Sequence, residues 1–146
     1  MNPTMEKFGF PATMVADYGH WVVLLRPQQV TLGSLVLVCK EAVTSFGALS
    51  AAAGAELVMV AQDAEQALGA AFSHDKINYL MLMLIDPDVH FHVLPRYATA
   101  RECAQRQFTD VAWPGPPRFD QINATDAAAN TSIMAVLTSF WPARAR

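Results

Sequence analysis

The run Asp88-Val89-His90-Phe91-His92-Val93-Leu94 constrains this chain more than any other stretch. Val89, Phe91 and Val93 are apolar and β-prone, and they alternate with Asp88, His90 and His92. That is the period-two pattern of a strand, whose successive side chains point to opposite faces. One face is apolar and packs on a core. The other carries three ionisable groups in a row, and each bears a desolvation cost that calls for a partner or a function. Pro95 has no N–H to give to a ladder, so it closes the strand or marks an edge. Asp86-Pro87 supplies a turn just before it. The apolar run 77–85, which contains Asn78, reads as a hairpin partner buried on both faces or nearly so.

Upstream, Trp21–Leu25 and residues 34–39 are two further β-type runs separated by a short connection, which favours an antiparallel hairpin. From Thr44 the spacing turns helical. Leu57, Val60, Ala61, Ala64, Ala67, Leu68, Ala71 and Phe72 follow the i, i+3, i+4, i+7 pattern, with Gln62, Asp63, Glu65 and Gln66 opposite. Ser50 is placed to cap this helix, and Ser73-His74-Asp75 to end it. Residues 1–19 read as an irregular lead-in. After Tyr97 the chain is loop-like, and Trp113-Pro114-Gly115-Pro116-Pro117 excludes helix and inner strand there. Thr125 is placed to cap a last helix with Ala129, Ile133, Val136, Leu137 and Phe140 as its buried stripe and Pro142 as its stop. Strand, strand, long helix, strand, strand and a C-terminal extension describe an α+β domain with an antiparallel sheet of about five strands. At 146 residues the chain is one domain, large enough to bury a substantial core.

Composition narrows the function classes. The chain is 53% hydrophobic and 16% charged, far from the disordered class. A formal charge of -3 and scattered arginines, apart from Arg144 and Arg146 near the end, leave no basic stripe for nucleic acid. A small nucleotide is still compatible, because backbone N–H groups hold phosphates without a basic patch. Cys39 and Cys103 show no metal or redox spacing. No apolar run approaches the ~18 residues of a membrane span, and the first residues lack a secretory pattern. The expectation is a soluble, cytoplasmic protein with no membrane partner.

The stretch His90-Phe91-His92-Val93-Leu94-Pro95-Arg96 resembles the second half of the signature of the histidine triad (HIT) nucleotide hydrolases and transferases. That signature has three histidines separated by single apolar residues. Here Asp88 stands at the first histidine's position. The order of elements over about residues 20–97 also resembles the HIT fold, with 98–146 as an extension. The resemblance implies that His90 is the nucleophile attacking the α-phosphorus of a nucleotide to form a covalent nucleotidyl-histidine. It implies that His92 hydrogen-bonds the scissile or leaving-group oxygen, while Asp88, a departure from the family, either accepts from an imidazole N–H or places a negative charge that repels the incoming phosphate. It further implies substrates such as nucleoside phosphoramidates, dinucleoside polyphosphates and related adenylates, a homodimer, and no cofactor or metal.

Other residues keep two readings each. Asn78 either contacts phosphate or starts a strand. Ser34, after Gly33, stands where the family usually has histidine, and its hydroxyl can donate to phosphate. Arg96 either reaches phosphate or forms a salt bridge. For the whole chain, two rivals to catalysis stay open. One is a nucleotide-binding module without turnover, and the other is a metal-dependent enzyme using Asp88, His90 and His92.

Overall fold

Trp21–Leu25 (β2) and Leu35–Cys39 (β3) are built from branched and aromatic residues, and every one of them is buried. Such strands are covered on both faces, so they occupy the middle of a sheet. In the computed structural model, which describes residues 1–143, they pair antiparallel in register from Trp21↔Cys39 to Leu25↔Leu35. Arg144 and Arg146 lie outside the described residues. The five-stranded sheet is completed by Met14–Asp17 (β1), Lys76–Leu80 (β4) and His90–Arg96 (β5), in the order β1-β2-β3-β5-β4. All its pairings are antiparallel, as the α+β reading expects.

Alternation splits the core in two. Trp21, Val23, Leu25, Leu35, Leu37, Cys39 and Val93 face the long helix Ala51–Phe72 (α2) and belong to the large cluster. Val22, Leu24, Val36 and Val38 face the other way and pack with Met5 and Phe8. Those two residues belong to the lead-in, where a short helix Pro3–Lys7 (α1) forms. The sequence reading missed α1 and β1, because neither is long enough to show a period. α1 takes its shape from covering the second face, and β1 from pairing with β2 at the sheet edge.

Ser50 caps α2 by accepting from the Ala53 N–H at 3.0 Å. The helix ends at Ser73 in the left-handed conformation, φ 52°. Its buried face is wider than the stripe alone suggests. Asp63, expected on the solvent side, is buried and accepts from the Tyr18 hydroxyl at 2.7 Å. The helix Ala127–Phe140 (α3) packs along α2, so a residue on the flank of α2 becomes interior. Trp141, just after α3, donates its indole N–H to the same Tyr18 hydroxyl at 2.8 Å. Asp126, one residue beyond the expected Thr125, caps α3. Ala129, Ile133 and Leu137 are buried, whereas Phe140 is 46% exposed at the fraying last turn.

Two further expectations need correction. The run 77–85 is not one doubly buried strand. β4 stops at Leu80, sits at the sheet edge and is mostly half-buried, while Leu84 and Ile85 are 84% and 85% exposed in the loop beyond. An apolar run by itself does not separate a central strand from an edge strand. The β5 strand begins at His90 rather than Asp88 and continues through Pro95. It can do so because the ladder to β3 ends at Leu35↔Val93, leaving Pro95 paired only with Ile77 of β4. On the side where a proline N–H would be missed there is no strand to miss it. Within the expected C-terminal loop a small hairpin forms from Arg101–Cys103 (β6) and Arg106–Phe108 (β7).

Candidate functional site

Register places the two histidines. His90 lies opposite Val38 and His92 opposite Val36 of β3, so both share the face of Val36 and Val38, away from α2. Their rings meet edge to face with centroids 5.2 Å apart. Phe8, from just beyond α1, stands 5.8 Å from His92 and 6.2 Å from His90. Phe119, from the loop before α3, meets His92 at 5.3 Å. Together these groups line a cavity of about 380 Å³ with Arg26 and the Leu82-to-Asp86 loop. That volume suits a small ligand.

His90 is almost fully buried, and its Nδ1 lies 2.7 Å from the main-chain carbonyl oxygen of Asp88. A carbonyl oxygen only accepts, so Nδ1 carries a proton, and Nε2 is the nitrogen left to hold the lone pair when the ring carries one proton. A turn immediately before the strand thus sets the tautomer of its first residue. His92 is held differently. Its Nδ1 is buried with no hydrogen-bond partner. Burial, then the charge of Arg26, then the neighbouring His90 push its pKa down to about 4. His92 is therefore neutral at pH 7.

Asp88 lies where the sequence suggested, beside the histidines, but its carboxylate is turned to α1. It accepts from the Thr4 N–H at 3.3 Å and the Thr4 hydroxyl at 2.9 Å. The imidazole contact of this residue runs through its backbone, not its side chain. Among the described residues, no three His, Cys, Asp or Glu side chains are grouped as metal ligands.

The structure does not bring Asn78, Ser34 or Arg96 to the cavity. Ser34 is fully buried, donating to the Thr31 carbonyl at 2.7 Å and accepting from the Thr31 N–H at 3.0 Å. It ties the turn through Gly33, whose φ of +84° is a left-handed value that favours glycine. Arg96 is buried in a salt bridge to Asp110 at 2.7 Å, and it also donates to Asn78 Oδ1 and to the Gly115 carbonyl, each at 2.8 Å. Both side chains belong to the anchor of the 109–123 loop.

Arg26, Phe8 and Phe119 line the cavity and were not singled out from the sequence. For Arg26 a signal was available. The even positions of β2, Val22 and Leu24, face the histidine side, and Arg26 is the next even residue. Phe8 and Phe119 carry no comparable signal, since each comes from an irregular segment.

Solved structures share this arrangement of elements. A histidine triad protein of Sinorhizobium meliloti superposes with a TM-score of 0.76 at 20% identity, covering 96% of this chain and 95% of that one. A histidine triad protein of Bradyrhizobium japonicum gives 0.75 at 20% identity, covering 97% and 96%. One from Marinobacter aquaeolei gives 0.72 at 20% identity, covering 93% of each chain. The fold is that of the histidine triad proteins. No protein-family model and no curated protein matches the chain. The histidine triad fold accounts for the extension as well as the core, because the superpositions cover nearly the whole chain. Residues 98–143 are thus part of the architecture, closing the cavity through Phe119 and flanking α2 through α3. Among the described residues no helix of this histidine triad fold is long and apolar enough to cross a membrane.

Proposed function

We propose that this chain binds a small nucleotide in the cavity and acts at its α-phosphate through a covalent nucleotidyl-His90. The observation that carries the reading is the 2.7 Å contact between His90 Nδ1 and the Asp88 carbonyl. It makes Nε2 the nucleophilic nitrogen without a general base, because the proton already resides on the other side of the ring. In the first step Nε2 bonds to phosphorus, the bond from phosphorus to the leaving group breaks, and that group takes up a proton. In the second, water attacks the same phosphorus and gives up a proton to solvent, the P–N bond breaks with its electrons returning to Nε2, and neutral imidazole is restored. His92 supports the reading as a neutral ring whose one N–H can be donated to a phosphate or leaving-group oxygen where negative charge develops. Nucleoside phosphoramidates, dinucleoside polyphosphates and related adenylates are the proposed substrate classes. The chain works on this reading as a homodimer, without a cofactor.

A second reading is a nucleotide-binding module without turnover. The engagement of Ser34, Asn78 and Arg96 elsewhere favours it, because fewer polar side chains remain to hold the phosphate in line. One experiment separates the two. The protein is mixed briefly with adenosine phosphoramidate and quenched, and its intact mass is read. A gain of one adenylyl group, absent in His90→Ala, is the result expected of the catalytic reading. Nucleotide binding with no adduct and no product would replace it with the binding module.

A further inference from the structure

Among the described residues Arg26 is a cation without a counter-charge. It follows β2 directly and lines the cavity with His90 and His92. Its Nη1 donates to the Gln28 carbonyl at 2.7 Å, which fixes one end of the guanidinium. Its Cζ lies over the Phe119 ring, 5.4 Å from the centroid, and Phe119 in turn meets His92 at 5.3 Å. Its Nε is buried and has no hydrogen-bond partner. Among the described residues no carboxylate forms a salt bridge with Arg26. Asp86, a carboxylate on the cavity wall, is paired with Lys7 at 2.9 Å.

Burying a guanidinium Nε without a partner costs free energy, whereas other arginines of this chain are matched. Arg96 has Asp110, Arg101 has Asp75, Arg106 has Asp126 and Arg118 has Asp120. An unmatched, partly desolvated cation on a cavity wall is recovered when an anion enters, and the planar fork suits a phosphate oxygen pair. Burial also lowers the pKa of Arg26, the direction expected when nothing negative offsets the lost hydration.

We infer that Arg26 is the anion-pairing residue of the cavity, a binding determinant that recognises a phosphate group of the ligand beside His92. The inference rests on the nucleotide reading for the identity of that phosphate, not for the existence of the anion site. It gives the ligand a definite chemistry, since affinity comes largely from negative charge placed next to Phe119. A structural role for Arg26, holding Phe119 and Gln28, has a different consequence. Its removal would then lower stability and leave phosphate binding as it was.

The test is calorimetric titration of wild type, Arg26→Gln and Arg26→Lys with inorganic pyrophosphate, and with adenosine, AMP and ADP. Thermal melts are run alongside to confirm that each variant is folded. Wild type is expected to bind AMP at least about tenfold more tightly than adenosine, the scale of one charge-assisted contact. That ratio is expected to fall towards one in Arg26→Gln, with pyrophosphate binding weakened by a similar factor. Arg26→Lys retains part of it, because the charge is kept and the fork is lost. Unchanged pyrophosphate and AMP binding in Arg26→Gln would overturn the inference. So would wild type that binds none of the phosphate probes. Arg26-dependent binding of pyrophosphate in a protein that forms no adenylyl-His90 would sustain the anion site and reject the catalytic reading.

Discussion

His92 is where burial and charge meet most directly, and its titration links the site to stability. In the folded chain it stays neutral down to about pH 4, against an ordinary value of 6.5. Between those values the unfolded chain binds more protons than the folded one, so stability is complete above about pH 6.5 and declines as pH falls towards 4. The loss attributable to this one ring is on the order of 3 kcal/mol. Chemical denaturation of wild type and His92→Gln at pH 7 and pH 4.5 measures it, and the variant is expected to show the flatter dependence. Equal slopes would mean that His92 does not keep its proton off in the folded state. His90 differs in kind, because the Asp88 carbonyl dictates its tautomer. Both histidines were legible in the sequence, through alternation and the spacing His90-Phe91-His92. What was not legible is that Asp88 serves one through its backbone and α1 through its carboxylate, since which group of a residue makes a contact depends on how the turn is closed.

At the scale of elements, β5 does two jobs along one face. Its first half presents His90 and His92 to the cavity. Its last residue, Arg96, anchors the loop that carries Phe119, through Asp110 and the Gly115 carbonyl. Both partners of the ion pair are buried, with side chains 4% and 3% exposed. Removing only the carboxylate leaves a buried charge uncompensated, at a cost of about 3–5 kcal/mol. Asp110→Ala is therefore expected to lower the urea midpoint strongly. Combined with Arg96→Met, it should lose less than the sum of the two single changes. Additive losses would show that the two side chains are not coupled. The spacing of Pro95-Arg96 after the histidines marked this segment in the sequence. Its assignment to loop anchoring rather than phosphate contact came from Asp110 and Gly115, which approach from a stretch with no periodic pattern.

For the whole molecule, one group of exposed apolar residues gathers near the β4 edge. Tyr79, Leu82, Leu84 and Ile85 are 38%, 44%, 84% and 85% exposed, and they lie on or just after the edge strand. A proposed homodimer would cover such surface. Sedimentation equilibrium is expected to return twice the chain mass, and Ile85→Glu with Leu84→Glu to weaken association if this edge takes part. A concentration-independent monomer would discard the dimer. The elements with long periods were readable in advance: β2, β3, α2, α3 and the histidine strand each bury a stripe that repeats often enough to be seen. Short pieces such as α1, β1 and the β6–β7 hairpin were not, because a few residues carry no period and are shaped by what they cover. The same division holds for the site. Alternation determined that His90 and His92 share a face, and the order of β-type runs around a helical stripe that the chain is an antiparallel α+β domain. Only the tertiary structure decided that Arg26, Phe8 and Phe119 complete the cavity while Ser34, Asn78 and Arg96 leave it. Those contacts join segments far apart in the chain, and such contacts depend on packing rather than on local pattern.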